Sequence, residues 1–301
     1  MSSFSTIIPT HNMGWCVARA VRSCQTQTQF VNEIIVVDDC STDDTETVVR
    51  RLIAHDPRIR YFRLLSRGGH IAALTLGARK ATSDWIALLD ADDELTPNSI
   101  EARVSAANHY EKVTGVQPQL VYGDQKDGTK FARVSGYVFP YLCKELCLCQ
   151  TSTILLGRKC IPYIPVTTNP WNTDDEIVLA IGKHFHVMHS GADVAIVHAH
   201  SSPTRMTNPK RMFIGVRQMV WQHRADIICE HGIRRFFLWG LRVLKVFMNY
   251  QLALANAQIQ AQSHLVGAPQ RFLWRVYRKG LLWSYRPLID FLAKHFDTDY
   301  F

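Results

Sequence analysis

The chain reads as an α/β protein, a mostly parallel sheet flanked by helices, with a helical appendage at its C-terminal end. Three observations predict this. Short apolar runs alternate with stretches of helical periodicity through the first hundred residues. Two of these runs stop abruptly in clusters of aspartates. Hydrophobic residues are 47% of 301, enough for a substantial core.

The elements follow in order. Residues 5–9 form a first strand, closed by Pro9 and followed by Thr10-His11-Asn12. Val17, Ala20, Val21 and Cys24 recur at helical spacing and predict a helix over 15–24. Residues 33–37 make a second strand that ends in Asp38-Asp39-Cys40-Ser41-Thr42-Asp43. Ser41 or Thr42 can cap the next helix, whose first turn is acidic, as the helix dipole favours. That helix runs to about 55, a third strand covers 60–64, and a small-residue helix over 71–81 follows Gly68-Gly69. The run 85–89 is continuous and apolar, which suits a strand buried on both faces. Alternation of this kind, with short loops, implies right-handed crossovers and brings both acidic strand ends to one edge of the sheet.

The second acidic cluster, Asp90-Ala91-Asp92-Asp93, carries chemistry in its spacing. Three carboxylates in four positions repel and raise one another's pKa. A divalent cation relieves that repulsion, and carboxylate oxygens are the donors Mg²⁺ and Mn²⁺ prefer. The place also fits, because open α/β sheets bind ligands beyond the carboxyl ends of their strands. The alternative is a solvated turn in which an aspartate caps the helix starting near Pro97.

Ile7-Ile8-Pro9-Thr10-His11-Asn12, Val36-Val37-Asp38-Asp39-Cys40-Ser41-Thr42-Asp43 and Leu89-Asp90-Ala91-Asp92-Asp93, in that order, resemble the signature of the family 2 glycosyltransferases. The likeness is dense to about residue 100, weaker to 209 and absent beyond. It implies a GT-A fold and an inverting transfer from a nucleotide sugar, UDP-linked by preference.

The resemblance assigns roles residue by residue. Pro9, Thr10 and His11, with Asn12 beside them, would line the nucleotide pocket. Asp39, with Asp38 next to it, would accept a hydrogen bond from the base. Asp90 and Asp92 would hold Mn²⁺ or Mg²⁺, with Ala91 between them against the nucleotide, while Asp93 either caps or functions. A catalytic base is implied on the acceptor side. Asn172-Thr173-Asp174-Asp175-Glu176 fits that element, with Asp175 as base and Asp174 supporting; the assignment among the three acids stays open, as does simple helix-start electrostatics. Ile177, Val178, Ala180 and Ile181 would face the core from that helix. In Val197-His198-Ala199-His200, His200 matches a histidine that can complete the metal shell; a plain surface loop is the alternative.

The sequence also departs from the family. The stretch Ala73-Leu74-Thr75-Leu76-Gly77 lacks the usual Arg and Asn, leaving Arg67, Arg79 and Lys80 as nearby basic candidates. The loop Ser66-Arg67-Gly68-Gly69-His70 keeps its glycines, Gly69 included, but has a histidine where a smaller or amide residue is frequent.

Eight cysteines without a regular framework predict a reduced, cytoplasmic protein, and the run straight into the first strand predicts no signal peptide. Cys143, Cys147, Cys149 and Cys160 lack standard zinc spacing. Charge is uneven. Residues 1–209 hold 20 Lys and Arg against 21 Asp and Glu, whereas 210–301 hold 14 against 5. The second region is rich in Trp, Tyr and Phe, and its segments 234–260 and 271–295 read as helices without a membrane-spanning apolar run. Two uses fit them. One is peripheral docking on an anionic membrane surface at the inner face, near a lipid-linked acceptor. The other is packing on the catalytic domain or in a homodimer. No nucleic-acid motif accompanies the charge.

The sequence thus predicts a catalytic domain over 1–209, with a nucleotide half (1–100) and an acceptor half (101–209), and a basic helical region over 210–301. The expected partners are a nucleotide-sugar donor and a saccharide or lipid-linked acceptor, in surface polysaccharide or glycan synthesis. The alternative is a catalytically inactive nucleotide-binding or membrane-docking protein that keeps the fold.

Overall fold

The structure, a computed structural model, describes residues 2–145, 148–165, 173–198, 209–232 and 240. Its first half is β1 (Phe4–Thr10), α1 (Val17–Gln25), β2 (Glu33–Asp38), α2 (Thr45–Ile53), β3 (Ile59–Arg63), α3 (His70–Lys80) and β4 (Trp85–Leu88). The second half adds β5 (Glu94–Leu95), α4 (Ser99–Thr114), β6 (Leu120–Gln125), α5 (Phe139–Glu145), β7 (Leu155–Gly157), α6 (Thr173–Gly182), β8 (Val187–Ile196) and α7 (Pro209–Gln222).

These strands form one sheet of eight in the order β3-β2-β1-β4-β7-β6-β8-β5. β1 pairs in parallel with β2 on one side and β4 on the other, so the winding reverses between β1 and β4. Such a switch point opens a crevice at the carboxyl ends of the strands. β7 runs antiparallel to both β4 and β6, and β6 therefore points the same way as β4. The carboxyl ends of β1, β2, β4 and β6 lie on a single edge, as strand–helix alternation predicts.

Two apolar layers sandwich the sheet. Ile7, Ile35, Val37, Ile86 and Leu88 face α3, α5 and α6. Ile8, Ile34, Val36, Ala87 and Leu89 face α1 and α4, with Val49 of α2 in the same layer. Alternation along buried strands produces this, because successive side chains point to opposite faces. α3 lies close on β1 because Gly77 has no side chain: a Cβ there would collide with Ile7 and crowd Val37.

Details depart from the sequence reading. α2 is not capped by Ser41 or Thr42; its N-cap is Asp44, and Ser41 turns inward to Asp38. A buried acid needed that hydroxyl more than the helix end did. In α6, Leu179 is buried and Ala180 is half-exposed. A strand that the sequence suggests over 193–197 is the end of a longer β8, which starts at Val187 and follows β6 from Leu120 onward.

Residues 219–227 pack onto the sheet assembly. Met219, Val220 and Ile227 belong to the same buried layer as α5 and α6, and Lys183 pairs with Asp226 at 2.6 Å. Segment 234–295 lies outside the described residues apart from residue 240. Among the described residues no helix is long and apolar enough to cross a membrane.

Candidate active site

The reversal between β1 and β4 places the turn after β1 beside the acidic end of β4. The first wall is built from the β1 and β2 ends. Asn12 takes a positive φ of 56° and its side-chain oxygen accepts the Thr42 amide at 2.7 Å. Its own amide donates to Ser41 Oγ. Asp43 accepts the Gly14 and Thr45 amides, which ties α1 to α2. His11 Nδ1 lies 2.7 Å from the Asp39 carbonyl oxygen, so the ring is held over the β2 end. Pro9 and Thr10 are buried, and Thr10 Oγ1 finds no hydrogen-bond partner among the described residues.

The two aspartates of β2 part company. Asp39 accepts the Gly68 and Gly69 amides at 2.6 and 3.0 Å, with Arg67 Nε at 3.9 Å. It therefore clamps the loop that runs into α3. Gly69 allows this turn with a φ of 82°. Asp38 is fully buried. One oxygen accepts from the Ser41 amide and hydroxyl, the other from Tyr61 and Arg63. Both Asp38 oxygens are thus engaged inside the fold.

The opposite wall is the acidic turn after β4. Asp90, Asp92 and Asp93 each offer a carboxylate oxygen, all within 4.8 Å of one another. Three hard oxygen donors at that spacing fit a divalent cation of the Mn²⁺ or Mg²⁺ type. Asp93 is the buried member, and it takes hydrogen bonds from Ser152 Oγ at 2.6 Å and the His198 amide at 3.2 Å. Burial, then the charges of Asp90 and Asp92, push its pKa up to about 7. Asp90 meets His70. Ala91 is buried between its acidic neighbours.

α6 delivers the third component. Asp174 is raised to about 6, by burial first and by the charge of Asp90 second, while His70 draws it back. Asp174 of α6 thus lies in the electrostatic field of the acidic turn after β4. The Asp175 amide donates to Asp174 Oδ1 at 3.2 Å.

His198 engages Glu94 of β5. Its Nε2 lies 2.7 Å from Glu94 Oε1, and Glu94 also meets Arg19 at 3.4 Å. His200 lies outside the described residues, as does Cys147. Among the described residues the acidic triad is the single group of metal-ligand type. Sequence reasoning missed Ser152 and Arg19. The signal for Ser152 was a Thr-Ser-Thr run directly before an apolar strand.

Known proteins share this architecture. Residues 5–154 match the sequence model of glycosyl transferase family 2. A Campylobacter jejuni GalNAc(5)-diNAcBac-PP-undecaprenol beta-1,3-glucosyltransferase is 36% identical over 109 residues, 36% of this chain and 35% of that protein. The first three curated relatives are matched over only 35 to 44% of their own length. Among solved structures, Staphylococcus aureus TarS 1-349 in complex with UDP-GlcNAc superposes with a TM-score of 0.56 at 16% identity, over 84% of this chain and 80% of that one. The mannosyltransferase PcManGT from Pyrobaculum calidifontis, in complex with GDP-Man and Mn²⁺, gives 0.58 at 16% identity, over 97% and 83%. Identities this low speak to fold, and the fold is GT-A. Through residues 5–154, the chain belongs to glycosyl transferase family 2.

Proposed function

We propose that this chain is an inverting, metal-dependent glycosyltransferase that moves a sugar from a nucleotide-sugar donor, UDP-linked by preference, to a hydroxyl acceptor in surface glycan synthesis. One observation carries the reading: a carboxylate triad at the end of β4 shares its electrostatic field with Asp174 of α6. Relatives and neighbours support it, one named for a PP-undecaprenol substrate and two solved with UDP-GlcNAc or with GDP-Man and Mn²⁺.

In this reading the turn after β1, with Pro9, Thr10, His11 and Asn12, receives the nucleotide. Asp39 shapes its far wall through Gly68 and Gly69, with Arg67 at the rim. A divalent cation held by Asp90 and Asp92, with His200 as a further ligand, would neutralise the departing nucleoside diphosphate. Asp175 takes the proton of the acceptor hydroxyl as that oxygen attacks the anomeric carbon from the face opposite the nucleotide. Asp174 supports it, and its raised pKa suits a group poised near neutral pH. Catalytic domain 1–209 and basic region 210–301 remain the proposed division, with residues 219–227 docked on the former. For the basic region two uses stay proposed, membrane docking near a lipid-linked acceptor and packing on the catalytic domain or in a homodimer.

The test is incubation with Mn²⁺ and a panel of UDP-, GDP- and dTDP-sugars, reading nucleotide release, with Asp92→Ala as control. Release from one donor, lost in the variant, supports the reading. Binding of UDP and Mn²⁺ without turnover on any donor or acceptor sinks it in favour of an inactive nucleotide-binding protein.

A further inference from the structure

Ser152 sits between two members of the acidic turn. Its hydroxyl accepts the Asp90 amide at 3.1 Å and donates to Asp93 Oδ2 at 2.6 Å. One side chain thereby fixes the backbone of the first acid and the carboxylate of the last. The residue is 1% exposed, so water does not substitute for it. It belongs to the 3-10 turn Thr151–Thr153, which reaches the site from the amino end of β7.

The turn is itself held from behind. Arg103 of α4 is fully buried and donates from Nη1 to the Thr153 carbonyl at 3.2 Å, from Nε to the Ser99 carbonyl and from Nη2 to Ser99 Oγ. It has no carboxylate partner among the described residues. Burial pulls its pKa down to about 9. A buried guanidinium without an acid is costly and persists where its hydrogen bonds fix something. Here it fixes the backbone of the turn that carries Ser152. The Gln125–Gln150 amide contact joins the same turn to the end of β6.

We propose that the Thr151–Thr153 turn is the positioning element of the acidic cluster, with Ser152 setting Asp90 and Asp93 and Arg103 holding the turn in place. The inference rests on the metal reading given above. Ser152 touches neither donor nor acceptor in this assignment; it acts through the two acids, as outer hydrogen-bond partners of metal ligands do.

The experiment measures Mn²⁺ affinity by electron paramagnetic resonance in saturating UDP, for the full chain and for Ser152→Ala, Ser152→Thr and Arg103→Lys, with thermal midpoints alongside. Ser152→Ala is expected to weaken Mn²⁺ binding by about 10-fold or more. Ser152→Thr keeps the hydroxyl and should return affinity to within about 3-fold of the parent. Arg103→Lys reads the turn from its other side and should weaken Mn²⁺ by a smaller factor. Mn²⁺ affinity unchanged in folded Ser152→Ala and Arg103→Lys, whatever their midpoints, overturns the inference and leaves the metal reading standing. A parent protein that binds no Mn²⁺ in the presence of UDP overturns both.

Discussion

His70 and Asp90 meet side chain to side chain, with Nε2 2.7 Å from Oδ1. Burial works against a charged imidazole, yet Asp90, Asp174 and Asp92 together raise its pKa. The acids therefore favour the protonated ring, and a divalent ion would compete with it for the same oxygen. His70→Ala should lower metal-free stability by about 1 kcal/mol, the scale of a partly exposed charge-assisted pair. It should also enlarge the stabilisation that added Mn²⁺ confers. Thermal melts with and without Mn²⁺ check both effects; a smaller Mn²⁺ shift in the variant would mean that the ring assists the ion.

Asp174 supplies a pH dependence. Its pKa is raised to about 6, so the folded chain holds that proton more tightly than the unfolded chain does. Its contribution to stability therefore falls as pH climbs from the ordinary carboxylate range, about 3.9, towards 6, and levels off above. In the proposed mechanism activity runs the other way, because the carboxylates of α6 act in their ionised form. kcat/KM should drop as pH falls through about 6, with a cation near Asp90 moving that limb lower. A pH–rate profile measures it, and Asp174→Asn should flatten the acid limb. Asp175→Asn should cost on the order of 10³-fold in kcat, as removal of a general base does.

The loop from Gly68 to His70 is set by one carboxylate. Asp39 receives both glycine amides, and the helix α3 begins directly after them. Asp39→Ala should weaken UDP binding by about 10-fold, since charge-assisted bonds of this kind contribute about 1.5–3 kcal/mol. Calorimetry decides it. Unchanged affinity would mean that the loop keeps its shape without the clamp.

The sheet and the place of the site were legible in the sequence because both rest on periodicity and on residue type. Asp90, Asp92 and Asp174 announce themselves as acids at element ends. What sequence could not show is where each oxygen points. Asp38 and Asp39 are neighbours of one type, yet one is consumed by Ser41, Tyr61 and Arg63 and the other by a glycine loop. Apart from Ser41, the contacts that decide this lie 23 to 30 residues away, and no local pattern encodes them. The Thr-Ser-Thr run marks Ser152 but does not name its partners, which are 59 and 62 residues distant.

Far from the site, Asp56 holds the other edge of the sheet. Its carboxylate takes Arg58 Nε and Nη2, the Arg58 amide and Gln25 Nε2, tying α1 to the turn before β3. Arg58 also reaches the Val31 carbonyl. The Arg58 hydrogen bonds, opposed by burial and aided by Gln25, hold the Asp56 pKa far below the carboxylate range. For an acid lowered in the folded state, the stabilisation is complete above its unfolded pKa of about 3.9 and is lost as pH falls below it. Asp56→Ala should therefore cost about 2–3 kcal/mol at pH 7 and progressively less below pH 4. UDP affinity should stay unchanged, because the amino ends of the strands are the edge away from the nucleotide. Urea melts at pH 7 and pH 3, beside calorimetry with UDP, test the pair of statements. A variant that loses UDP binding in step with its stability would show that the two edges are coupled through the sheet.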